Sequence, residues 1–207
     1  MPSEAQEFLL GGFLKNQEGL VHTPTVLSDT KINLGIGRNL SNKPMTDQEI
    51  NQITDSLEAR GAPAQVIGER GEGLITGIDT PEAQILLRND VADATNDVID
   101  SLGKDVFDGL SPARQAALTS MAMNIGRGGL QGFTNMLSAI RVGDFPEAVK
   151  EFFDSQRAGN RPGGVPVASR RLAAEAFMLK HGRFPKDISG TTLIKEFQNS
   201  GFIQKRN

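Results

Sequence analysis

The chain has 207 residues, 38% of them hydrophobic and 23% charged, which is the composition of a globular protein and argues against disorder. Its 22 Lys and Arg against 25 Asp and Glu leave a net charge of -3, so overall charge draws it neither to nucleic acid nor to an anionic surface; such attraction needs a local patch. With no cysteine, disulfides, thiolate metal sites and a thiol nucleophile are excluded.

In chain order, the acidic start Met1–Glu7 is followed by no long apolar run, so neither a signal peptide nor a membrane span is expected. Residues 4–17 are predicted as a helix: Leu10, Phe13 and Leu14 recur at helical spacing, Phe8 and Leu9 widen the stripe, and Glu18-Gly19 ends it. Residues 20–37 change character. Val21, Thr23, Thr25, Val26 and Leu27 form strands well, Ser28–Lys31 has turn composition, and Ile32–Gly37 is extended again, so a β-hairpin is predicted. Thr46-Asp47-Gln48-Glu49 is a capping box, followed by Ile50, Ile53 and Leu57 on one helical face up to Gly61. Residues 61–77 are glycine-rich and read as a loop, with a short strand at Gln65–Ile67.

From Thr80-Pro81 the chain is predicted almost entirely helical, with Thr80 as N-cap and Pro81 in the first turn. Leu87, Val91, Ala94 and Val98 make one stripe; Ser111-Pro112 opens a helix that turns Leu118, Met121, Ala122 and Ile125 to the core. Further helices are expected at 134–142, 146–156 and 166–181, the last closed by Gly182, with a final short helix at 191–199. The fold class is therefore α+β, predominantly α: a small β lobe and a larger helical lobe joined by a long helix. No internal repeat is visible.

Glycosidic hydrolysis needs an acid for the leaving oxygen and usually a second carboxylate to stabilise charge or activate water. Glu18, at a helix end and at the mouth of the hairpin, and Asp29, near its tip, are a candidate pair. Most acids in a chain are solvated surface charges, so the pair alone is weak evidence. The company it keeps is more specific. Glu18-Gly19-Leu20, Asp29-Thr30 and Leu34-Gly35-Ile36-Gly37 together resemble the signature of phage-type lysozymes: a Glu-Gly, an Asp in a hairpin, then a Thr-Ile-Gly-x-Gly strand. The resemblance continues through Glu72–Thr76, Glu82-Ala83, Asn89–Val91, Phe107–Leu110, Ala116–Leu118, Gly126, Gly132–Asn135 and Ser169–Arg171, covering residues 8–184 in order.

That resemblance implies a lysozyme-like two-lobe fold over residues 1–184, with 20–79 as the small lobe, 1–19 and 80–184 as the helical lobe, and 185–207 as a C-terminal extension. It implies a muramidase of the endolysin type that cuts the β-1,4 bond between N-acetylmuramic acid and N-acetylglucosamine with inversion. Glu18 would be the general acid and Asp29 the second carboxylate. Two departures bear on the roles. Glu18 and Asp29 are two residues further apart than in the family pattern, and Asp29 and Asn33 two residues closer, so the span to Gly35-Ile36-Gly37 is unchanged. Either the hairpin tip has shifted and Asp29 keeps its role, which the Asp-Thr pair favours, or Leu27 occupies that position. The family threonine, which helps hold the attacking water, falls on Asn33; an amide also donates and accepts, and Thr30 is a second candidate.

Met123 falls where the family often has a cleft aromatic, and Asn135, with Thr134, is expected to cap a helix facing the cleft; both are candidate substrate contacts. Arg161, Arg170 or Arg171 is the expected partner of the Glu18 carboxyl, and Arg170-Arg171 with Arg157 and Arg161 otherwise reads as a solvated basic stretch able to meet acidic wall peptide. Gly35 and Gly37 read as packing and bend residues, since no Lys-Ser/Thr follows for a phosphate loop. His22 and His181 lie far apart without acids at metal spacing, so no metal and no cofactor is expected. The expected partner is bacterial peptidoglycan, met by a monomer without nucleic acid or membrane insertion. The expected location is the host cytoplasm first and the cell wall after release.

Overall fold

The computed structural model describes residues 2–26, 32–62, 78–157, 170–186 and 191–199. These form ten α-helices and one small sheet, so the chain is α+β and mostly helical. The contacts divide it into two compact units. Unit 2 is Leu14–Asp90; unit 1 combines Met1–Phe13 with Val91–Asn207.

The N-terminal helix expected over 4–17 is interrupted. Ser3 caps α1 (Glu4–Phe8) with a full capping box, a π-helical turn follows at Leu9–Phe13, and α2 (Leu14–Glu18) resumes. The break coincides with Gly11-Gly12, where Gly12 has φ 137°. Apolar periodicity carries no sign of it, because the stripe of Leu9, Phe13 and Leu14 is buried on both sides of the break.

In unit 2, β1 (Val21–Val26), β2 (Ile32–Gly35) and β3 (Arg38–Asn39) form an antiparallel sheet in the order β1-β2-β3. Val21 pairs with Gly35 and Thr25 with Asn33, with an irregularity between them. Pro24, which has no backbone N–H to give a ladder, falls inside it. The third strand was not legible: two residues are too few for a period-2 pattern. It exists because Ile36-Gly37 reverses the chain so that Leu34 pairs with Arg38. Thr46 caps α3 (Asp47–Ala59) through the capping box with Glu49, as its sequence predicts. Leu14, Leu34, Ile36, Ile53, Leu57, Ile78, Leu86 and Leu87 make the apolar centre of the unit.

The long helix α4 (Thr80–Leu102) begins at Thr80 itself and carries the chain from unit 2 into unit 1. The boundary between the two units falls after Asp90, within α4. The first turns of α4 belong with the sheet, because Ala83 and Ile78 close on Gly35 and Asn89 and Asp90 bond to residues of unit 2.

Unit 1 continues with α5 (Lys104–Asp108), α6 (Pro112–Gln131), α7 (Thr134–Arg141), α8 (Phe145–Arg157), α9 (Arg170–His181) and α10 (Thr191–Asn199). Ser111 caps α6 with Pro112 in the first turn, as expected. A run of rings links the start of α7, α8 and α10: Phe133, Phe152, Phe153 and Phe197 follow one another with centroids 6.0, 5.6 and 5.3 Å apart. Arg114 closes the end of α9, donating Nε–H to Leu179 O at 3.0 Å while its guanidinium lies over the Phe145 ring. The final helix, predicted from 191–199, buries Leu193 and Phe197. Among the described residues no helix is long and apolar enough to cross a membrane. The strand expected at Gln65–Ile67 lies outside the described residues.

Candidate functional site

Glu18 is the last residue of α2, exposed at the point where the helix gives way to the hairpin. Gly19, with φ +76°, turns the chain there and donates its N–H to Lys15 O at 2.9 Å, satisfying a carbonyl of the last turn. A carboxylate at a helix C-terminus sits at the negative end of the dipole, which disfavours its charge. The fold thus holds an acid where helix stability alone would not place one.

The other wall of this corner is the turn after β2. Gly37 has φ +77°, and a Cβ built on it would lie 3.1 Å from Cγ, 3.2 Å from Cδ and 3.3 Å from Cβ of Glu18. The Glu18 side chain therefore lies directly along the bare backbone of Gly37. The sequence reading of Gly37 as a bend and packing residue was correct as far as it went; that its packing partner is Glu18 was not legible from spacing. Gly35, at φ +66°, plays a different part: a Cβ built on it would meet Ile78 and Ala83 at ordinary contact distance.

Asn33, on β2, is half-buried and sits opposite Thr25 on one side and Asn39 on the other. Asp29 and Thr30, with Leu27 and Arg161, lie outside the described residues, as does the side chain of Arg157. Met123 and Asn135 belong to unit 1, whereas Glu18 and Asn33 belong to unit 2. Met123 is half-buried on α6, two residues after the buried Met121, which is core as expected.

Asn135 corrects the sequence reading. The N-cap of α7 is Phe133, without a side-chain capping bond; Thr134 and Asn135 are already helical. Instead of capping, exposed Asn135 donates Nδ2–H to Glu151 Oε2 on α8 at 3.0 Å. That bond fixes the amide with its carbonyl oxygen turned away from Glu151. Glu151 went unnoticed because the pair spans sixteen positions and neither residue belongs to a recognisable spacing.

Arg171 is a second correction. It is not solvated but 8% exposed, with Nε–H donated to Ser120 Oγ at 3.2 Å and to Glu175 Oε1 at 3.1 Å, and Nη2–H to Ser120 O at 2.8 Å. Arg170, its neighbour, is exposed. His22 donates Nδ1–H to Ile78 O at 2.9 Å and lies 3.6 Å from Asp79.

A largely buried charge network starts at β3, one residue from the Gly37 turn. Arg38, one residue after Gly37, bonds Glu49 Oε1 at 2.7 Å and Asp90 Oδ2 at 2.8 Å, and Lys43 reaches Asp90 Oδ1 at 2.6 Å. Glu49 also accepts from Asn89 Nδ2 at 3.0 Å and from Thr46 N–H at 2.9 Å. Burial pushes the Glu49 carboxyl up, but the bonds from Arg38, Thr46 and Asn89 and the Arg38 charge outweigh it and hold the pKa at about 2. Burial likewise opposes the Arg38 charge, and Glu49 and Asp90 overcome it, raising its pKa. This network ties β3, α3 and α4 together and so holds the Gly37 turn in place.

Comparison with known proteins agrees with this layout. Over 124 residues, 59% of its length, the chain is 32% identical to the pre-baseplate central spike protein Gp5 of Enterobacteria phage T4. It spans about a fifth of that relative, 20% of its length. The phage lysozyme family model matches residues 15–175, a stretch that starts within α2, takes in Glu18 and the Gly35-Ile36-Gly37 turn, and ends in α9. With the motifs, a small sheet in a mostly helical chain, and a match over most of its length, this chain belongs to the phage lysozyme family.

Proposed function

We propose that the protein is a muramidase: a glycoside hydrolase that cuts the β-1,4 bond between N-acetylmuramic acid and N-acetylglucosamine in bacterial peptidoglycan, in the manner of a bacteriolytic endolysin. The observation that carries this reading is Glu18, an acid at the end of α2 and packed on Gly37, inside the stretch matched by the family model. Glu18 acts as general acid and protonates the glycosidic oxygen. Asp29 stabilises the developing positive charge or activates water on the opposite face, which gives inversion. Asn33 or Thr30 holds that water, and Met123 and Asn135 contact the glycan. Neither metal nor cofactor has a part in these steps, and the protein works as a monomer on wall reached after release from the cytoplasm.

Purified protein tested on a peptidoglycan suspension checks this. Clearing with new reducing ends is expected, and Glu18→Gln abolishes it with the melting temperature nearly unchanged. Clearing that survives Glu18→Gln overturns the assignment of the acid. An anhydro-muramic product, seen by mass spectrometry, would mean lytic transglycosylase chemistry, which needs one acid and no water.

The similarity to a central spike protein motivates a second reading, in which the chain is a virion component that binds wall without turnover. Co-sedimentation with peptidoglycan in the absence of any cleavage product favours that reading.

A further inference from the structure

We infer that Gly37 is a positioning residue for Glu18, so that the missing side chain at position 37 sets where the catalytic carboxyl stands. This deepens the muramidase reading and rests on Glu18 being its acid. Three carbons of the Glu18 side chain lie 3.1–3.3 Å from the place a Cβ at position 37 would occupy. Such separations are closer than carbon atoms normally approach, whose optimum is about 3.5–4.0 Å. Any residue but glycine therefore displaces the Glu18 chain by a few tenths of an ångström or shifts the turn itself.

The turn has little freedom to shift. Arg38, the next residue, is pinned by Glu49 and Asp90, and Ile36, the preceding one, is buried. Glu18 is exposed at the end of a helix and lies outside the apolar core, so the displacement falls on its side chain. A general acid must lie within hydrogen-bond reach of the oxygen it protonates, and small misplacements are costly in rate.

Positive φ is a separate effect that has to be controlled. Gly61 has φ +67° in the same unit, and a Cβ there would meet nothing within 4 Å, so Gly61→Ala carries the backbone penalty without a contact. Gly37→Ala carries both. Gly37→Asn keeps the Cβ but tolerates the left-handed region better, which protects the test if alanine impairs folding.

The experiment is steady-state cleavage of soluble peptidoglycan fragments, with a pH profile of kcat, at a temperature well below every variant's melt. For Gly37→Ala and Gly37→Asn, kcat should fall about three- to tenfold with KM changed less than twofold and the pH profile displaced. Gly61→Ala should lose melting temperature through the backbone penalty alone and keep the wild-type kcat. Wild-type kcat and pH profile in both Gly37 variants overturn the positioning role. Glu18→Gln, run alongside, separates the two readings. If it is inactive while the Gly37 variants are unaffected, only the positioning role falls. If it is active, the acid assignment beneath it falls.

Discussion

In unit 2, β3, α3 and α4 meet at Arg38, whose guanidinium is bonded to Glu49 and Asp90 with side-chain exposures of 2%, 4% and 12%. In unit 1, α8 and α10 meet at phenyl rings, with Phe152, Phe153 and Phe197 at most 1% exposed. Unit 1 also buries an arginine, but Arg171 and Glu175 lie one turn apart on the same helix, with Ser120 from α6 as the added partner. A buried ion pair is costly to desolvate and contributes stability only when its remaining bonds are made. The small unit accepts that cost because short strands and a thirteen-residue helix supply little apolar surface. What it gains is register: the Gly37 turn that faces Glu18 is fixed by directional bonds. The large unit relies on non-directional burial, which tolerates small shifts.

The sharpest way to break this contrast is Arg38→Ala. It leaves Glu49 buried without the Arg38 cation and Asp90 with Lys43 in its place, and a loss of about 3–5 kcal/mol is expected in denaturant unfolding. Arg38→Met, which fills the space, should not restore it while both carboxylates remain.

In unit 1 the matching cut is Phe153→Ala, which opens a cavity between Phe152 and Phe197. A loss of about 3 kcal/mol or more is expected, and it should be nearly the same at pH 3 and pH 7 because no titrating group is removed.

Acid separates the two kinds of joint directly. The Glu49 carboxyl titrates at about 2 in the folded protein against an ordinary 4.5. Its contribution is therefore complete above pH 4.5 and is lost as the pH falls toward 2, on the order of 2–3 kcal/mol. Glu49→Gln should be less stable at neutral pH and should show a flatter decline over that interval. An equal decline in both proteins would mean that Glu49 is not the group responsible.

The smallest effect is expected at the surface. Lys104 and Asp108 form an exposed pair one turn apart, with side-chain exposures of 70% and 54%. Lys104→Ala should change stability by no more than about 0.5 kcal/mol, and added salt should erase the difference.

How much of this was legible in sequence depends on the range of each interaction. The Thr46–Glu49 capping box was readable because both bonds lie within one helical turn. The same Glu49 side chain also holds Arg38 and Asn89, eleven and forty positions away, and nothing in its neighbourhood announces that. Asn89-Asp90 was recognised as family sequence, but its bonds to Glu49, Arg38 and Lys43 came only with the docking of α4 on α3 and the sheet. Thr134-Asn135 looked like a cap by composition, yet Asn135 found a better partner on α8. Apolar period identified nearly every helix, since a stripe at helical spacing has one way to be buried, but it missed the break at Gly12 and the two-residue β3.

The residues themselves therefore determined the helices, the hairpin, the family and the identity of Glu18 as the candidate acid, because caps, periods and ordered motifs are written in local spacing. Tertiary structure alone decided that Gly37 lies along Glu18, that Arg38 is buried between two carboxylates and that Arg171 is not a solvated charge. Those contacts join positions brought together only when elements dock, and close approach, not composition, selects glycine beside the acid.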